Sequence, residues 1–152
     1  MATAADAELI LKLYEMRREE TLRKARRFMI FDFQPKTVDE LRLVSRDMGS
    51  QHNAAWRQVL SYWEMAASLV LHGALSADLF VDCNAEPFFI LAKLSPILPE
   101  IHAKIPTYFS KTLHLIEASQ PAAARYEAIK KNAEVRRQAW SEAWLHRSKT
   151  AH

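Results

Sequence analysis

At 152 residues, 49% of them hydrophobic, the chain is long enough for one domain to hide about two thirds of its unfolded surface without a metal or disulfide. The one cysteine, Cys83, excludes an internal disulfide and argues against a zinc or iron–sulfur site built on thiolates, and it points to a reducing, cytoplasmic setting. The net charge of +3 is spread unevenly, +2 over residues 1–31, −3 over 32–120 and +4 over 121–152, so the ends are basic and the middle is acidic.

With two glycines, abundant alanine and almost no alternating strand pattern, the expected fold class is all-α: a single domain over residues 1–152, six or seven helices packed around a buried central one. In chain order, a long helix is expected from Ala4 to Phe31, with Leu11, Tyr14, Leu22, Ala25 and Met29 on one apolar edge and Leu9, Leu13 and Met16 widening it. Glu19–Arg23 and Glu20–Lys24 supply i,i+4 pairs on its wet side. Phe33-Gln34-Pro35 breaks the pattern. Thr37 reads as an N-cap with an acidic first turn, for a short helix that reaches Met48 before Gly49.

Ser50 then caps the most informative stretch, Trp56 to Phe80. Trp56, Val59, Leu60, Trp63, Ala67 and Val70 recur at helical spacing while Tyr62, Met65 and Leu69 make the other side apolar too, which predicts a buried helix. His72-Gly73 stops it and Ser76 restarts the chain toward Cys83. Asn84 is expected to cap the next helix, which tolerates Pro87 in its first turn. Pro96 and Pro99 call for a break near Ser95. A helix follows Pro106, and the last one starts at Ser119-Gln120-Pro121 and runs to about Arg147, with Tyr126, Ile129, Ala133, Trp140 and Trp144 on one side. The greasiest windows, Met65 to Leu75 and Phe88 to Leu98, are far short of the ~20 residues that span a bilayer, and no leader is read at the N-terminus, so a soluble protein is expected.

Glu64 is the single charge of the central run between Arg57 and Asp78 and the leading candidate for a site, because a desolvated carboxylate needs a partner or carries a raised pKa. Its structural alternative is an ion pair with an arginine from the first helix, or a bond to neighbours of Tyr62, that fixes helix register. The six histidines form no His-Glu-x-x-His or Glu-x-x-His step, so no metal site is expected; no cofactor is expected either. Nucleophile elbows and phosphate loops are absent as motifs. Arg17, Arg18 and Arg137 stand among basic residues of the terminal helices that could meet nucleic-acid phosphates, although glutamates between them suit an ordinary solvated face. Trp140, Trp144 and Arg136 are of the types favoured at protein interfaces. Long terminal helices would cross or overhang a globule of this size, which predicts a homodimer sealed by the first and last helices.

Tyr62-Trp63-Glu64, Leu69-Val70-Leu71-His72-Gly73, Asp78-Leu79-Phe80, Glu86 and Pro96 resemble a family of small bacterial all-helical proteins known only as a domain of unknown function. The likeness runs from about Trp56 to Glu117 and implies the helical fold, with Glu64 a recurring feature, and no active residues. The chain therefore reads as a non-catalytic interaction or structural module. The alternatives are a nucleic-acid binder using the terminal helices, and a small-molecule binder or enzyme with a pocket at Glu64.

Overall fold

The computed structural model describes residues 1–150, with side chains described through residue 138. Nine α-helices and one π-helical turn make up these residues, and no strand occurs among them. They are α1 (Ala4–Arg17), α2 (Glu20–Arg27), a π-turn (Phe28–Asp32), α3 (Val38–Arg46), α4 (Gln51–Leu71), α5 (Ala77–Cys83), α6 (Glu86–Lys93), α7 (Leu98–Lys104), α8 (Ser110–Ala118) and α9 (Gln120–Thr150). The count exceeds six or seven partly because the expected first helix is divided.

That division follows from a side chain that competes for backbone hydrogens. Glu19 does not face Arg23 across a helical turn; its carboxylate accepts from the backbone N–H groups of Thr21 and Leu22, which makes it the N-cap of α2. The chain changes direction there, and the apolar edge divides with it. Leu13 is buried and Leu9 and Ile10 pack on the core, whereas Leu11 and Tyr14, expected on the inner edge, are 66% and 49% exposed. Thr3 and Asp6 form a capping box at the start of α1, and Asp6 also accepts from the backbone N–H of Ser76 at the head of α5.

The α4 helix begins where Ser50 predicts, its hydroxyl accepting from the Asn53 N–H. Asn53 is wholly buried: its amide donates to the Val44 and Ser45 carbonyls at the end of α3, and its oxygen accepts from Arg57 Nε. That leaves α3 ending at Arg46, two residues before Met48. One face of α4 carries Val59, Tyr62, Trp63, Ala66, Ala67 and Val70 into the core; the opposite stripe, Arg57, Ser61 and Met65, faces solvent. Gly73, at φ +73, supplies the left-handed residue that stops the helix.

The interior is shared by two elements, since α6 buries Pro87, Phe88, Ile90, Leu91 and Ala92 and packs mainly on α9, as α5 does, while α2 and α3 pack on α4 and α8 packs on both. Trp63, Phe80 and Phe88 join the two regions through edge-to-face ring contacts. Asn84, expected as an N-cap, instead closes α5: its side chain donates to the Phe80 carbonyl, and Ala85 takes the cap position of α6. The proline break falls at Leu94–Ile97, between α6 and α7. Among the described residues no helix is long and apolar enough to cross a membrane.

Candidate functional site

The two carboxylates of the interior have distinct partners, and the assignment differs from expectation. Arg26, from α2, pairs with Glu86 at the start of α6 and not with Glu64. Arg26 Nε and Nη2 reach the Glu86 oxygens at 2.9 and 2.5 Å, and Trp63 Nε1 donates to Glu86 Oε1 at 3.0 Å. The Glu86 side chain is 9% exposed and that of Arg26 22%. A forked guanidinium–carboxylate pair with an added indole donor satisfies most of what desolvation costs. Arg26 Nη1 also donates to the Arg17 carbonyl at the end of α1, and Tyr62 Oη donates to the Leu13 carbonyl at 2.5 Å. The network thus fastens α1, α2, α4 and α6 together around the α1–α2 break.

Glu64 ends α8. Phe109 occupies the N-cap position of that helix with φ +50, a left-handed conformation rare for a bulky residue, and its side chain has no oxygen to offer the first N–H groups. Burial of its ring holds it there. The Glu64 carboxylate, reaching across from α4, accepts from the Lys111 and Thr112 N–H groups at 2.9 Å each and from the Thr112 hydroxyl at 2.8 Å. A carboxylate at a helix N-terminus is favoured by both the orphan donors and the helix dipole. The expected arginine partner from the first helix is therefore not the one found.

Glu64 also borders an open groove of about 610 Å³, with Trp56, Arg57, Ser61, Thr107 and Lys111 around it. Trp56 Nε1 and the Tyr108 hydroxyl lie buried beside each other without reaching hydrogen-bond geometry, their rings 6.2 Å apart. A second concavity, about 350 Å³, lies between α6 and α9, with Glu86, Phe89, Asn132 and Arg136 in its wall.

Lys93 was not singled out by the sequence. Its ammonium donates to the Met29 and Phe33 carbonyls, closing the π-turn as a C-cap would, and no carboxylate partner is found among the described residues. Burial pushes its pKa down to about 8 from 10.5. The folded protein sheds this proton while the unfolded chain still holds it, so stability rises with pH between about 8 and 10. Above that, the buried phenols reverse the slope: burial raises Tyr62 to about 12 and Tyr108 further, so the folded state keeps protons that the unfolded state loses. We expect a gain of about 1–2 kcal/mol from pH 7.5 to 10, part of the ~1.4 kcal/mol per unit being offset by the two carbonyl bonds. Urea midpoints measured across this range should flatten in Lys93→Met; an unchanged slope in that variant would assign the titration to another group.

Of the basic candidates, Arg17 is half-buried, its guanidinium 5.2 Å from the Tyr14 ring centre and 5.7 Å from that of Trp63. Arg137 donates to the Lys93 carbonyl. Arg18 and Arg136 are exposed, Arg18 lying over Tyr14 at 5.6 Å. Trp140 and Trp144 lie outside the described side chains. Among the described residues no cluster of three or more His, Cys, Asp or Glu is placed to hold a metal ion.

A match along residues 2–119 decides the kinship. The chain belongs to the family described as Domain of unknown function (DUF4760). The matched segment takes in α1 through α8, so Glu64, Glu86, Arg26 and Lys93 fall inside the DUF4760 region, and Arg136, Arg137 and both C-terminal tryptophans fall outside it. It also extends the likeness read from Trp56 to Glu117 back over the first three helices and the start of α4. No curated protein and no solved structure matches the chain.

Proposed function

We propose that this DUF4760 protein is a non-catalytic protein-interaction or structural module, working in the cytoplasm, with α1 as its contact surface. The observation that carries the reading is the outer face of α1. Ala4, Ala7, Leu11 and Tyr14, at i, i+3 and i+4 steps, form an exposed stripe that ends in Arg18, and single-helix spacing makes those side chains neighbours. Tyr and Arg beside an exposed leucine are the residue types on which interface energies concentrate. The interior carboxylates, by contrast, are committed to helix ends and an ion pair, which favours scaffolding over chemistry.

With 14 residues, α1 is a rod of about 21 Å and does not overhang the body, whereas α9, at 31 residues, is about 46 Å long. A small-molecule reading has one observation in its favour, the groove that reaches Glu64.

A photo-cross-linking residue placed at Leu11 in the protein's own cells tests the main reading. It should give a protein adduct, to another chain or to a second copy, while the same group at Ser61, exposed on α4, gives none. If neither position yields an adduct, the interaction reading is lost.

A further inference from the structure

We infer that the concavity between α6 and α9 is a binding site for a small amphiphilic carboxylate, a medium-chain acid whose tail lies against Phe89 and Ile129 and whose head group meets Arg136. The inner stripe of α9 shows why. Ile129, Asn132, Ala133 and Arg136 stand at i, i+3, i+4 and i+7, so they share one face of the helix, and all four line the same space. Earlier on α9 the buried positions are Ala122 and Tyr126, as expected of a face laid on a core; at Asn132 and Arg136 the lining turns polar while it still borders α6. Ile30 of the π-turn and Phe89 of α6 form the opposite wall, half-buried as Ile129 is. With only an alanine at 133, the space left is about 350 Å³. That is within the range of ligand pockets, and at about 30 Å³ for a group the size of water it holds about ten non-hydrogen atoms.

Charge selects the head group. Arg136 has no acid one turn away in sequence, since Asn132 and Ala133 precede it and Ala139 and Trp140 follow, and it makes no salt bridge among the described residues. Glu86 is the one acid in the wall, and its oxygens are already engaged by Arg26 and the Trp63 indole. Arg26, Glu86 and Arg136 together leave one positive charge at the polar end, which favours an anion over an ammonium. The two oxygens of a carboxylate suit the guanidinium fork, and the Asn132 amide, one turn before Arg136, can donate to the same group. Ile30, Glu86 and Phe89 fall inside the DUF4760 region and the α9 residues beyond it, so the ligand would tie the two parts of the chain together. The site shares no residue with α1, and a ligand here is independent of a partner there.

Octanoate is the probe, with octylamine and octanol as its cationic and neutral counterparts. Titrated into the isotope-labelled full chain, octanoate should bind with a Kd of about 0.1–1 mM. It should shift the amide resonances of Phe89 and Ala133 and leave those of Lys111 and Thr112, beside the Glu64 groove, in place. Octanol and octylamine should bind about tenfold more weakly, for want of the charged pair. Arg136→Glu, at an exposed position, should weaken octanoate by about tenfold and reverse the preference toward octylamine, with the helical circular dichroism retained. Ala133→Met should occlude the space and weaken all three probes; if that variant loses its helical signal, Arg136→Glu decides alone. A chain whose Phe89 and Ala133 resonances do not move at about 5 mM octanoate, well above the expected Kd, overturns the site. So do shifts confined to the Glu64 groove. Equal binding of octanoate and octylamine, or binding indifferent to Arg136→Glu, overturns the carboxylate as its ligand.

Discussion

Glu86→Ala should lower the unfolding free energy by about 3 kcal/mol, and as much as about 5 if Arg26 cannot swing into water, because it strands a partly buried guanidinium and deprives the Trp63 indole of its acceptor. The loss comes from the orphaned partners more than from the attraction of the pair. The double variant Arg26→Met/Glu86→Gln should therefore recover most of it, since the amide oxygen can still accept from Trp63 Nε1 and methionine can lie along the path of the arginine stem. Urea unfolding of wild type, Arg26→Met, Glu86→Gln and the double variant closes the cycle, with Glu86→Ala measured beside it. A loss below about 1 kcal/mol in Glu86→Ala would class this contact with ordinary solvent-screened pairs. The core would then have to be held around the α1–α2 break by apolar packing alone.

Glu64→Ala is expected to cost about 2–3 kcal/mol, since three hydrogen bonds to one ionised acceptor disappear and two N–H groups at the head of α8 lose their partner. Glu64→Gln should cost about 1 kcal/mol: an amide oxygen keeps part of the bonding but not the charge that the helix dipole favours. The local signature is as informative as the global one. Amide hydrogen exchange at Lys111 and Thr112 should accelerate in Glu64→Ala far more than exchange in α6, which sits on the other interior face. Unchanged protection at those two amides would show that the cap contributes nothing to holding α8. Any use of the adjacent groove by a ligand would then be the better explanation for a carboxylate at this point of α4.

Much of the helix layout was legible because it rests on local rules. Ser50, Ser76 and Thr37 are N-caps as read, each hydroxyl accepting from the N–H three residues on, and Gly73 ends α4 because only glycine takes its backbone conformation without strain. The break required by Pro96 is where a missing N–H and a ring clash put it. The buried face of α4 was visible in its spacing, though not its exposed stripe, since Met65 is as apolar as the residues on the inner side.

Polar side chains that could choose between a local and a distant partner were legible only in part: Glu20 and Lys24 pair across a turn as read, at 2.7 Å, but others chose differently. Glu19 could pair with Arg23 or cap α2, and took the cap; Asn84 could begin a helix or finish one, and finished it. Arg26 had two glutamates within the sequence's reach, Glu64 and Glu86, and no periodicity distinguishes them. The composition by itself settled an all-helical chain with one cysteine and basic ends, because glycine poverty, alanine content and helical spacing act residue by residue. Which carboxylate received the arginine, which capped α8, and which side of α1 was left facing out were decided by packing: the turn at Glu19 rotates α1 against α2, and side chains 60 residues apart meet only once both helices lie on the same core.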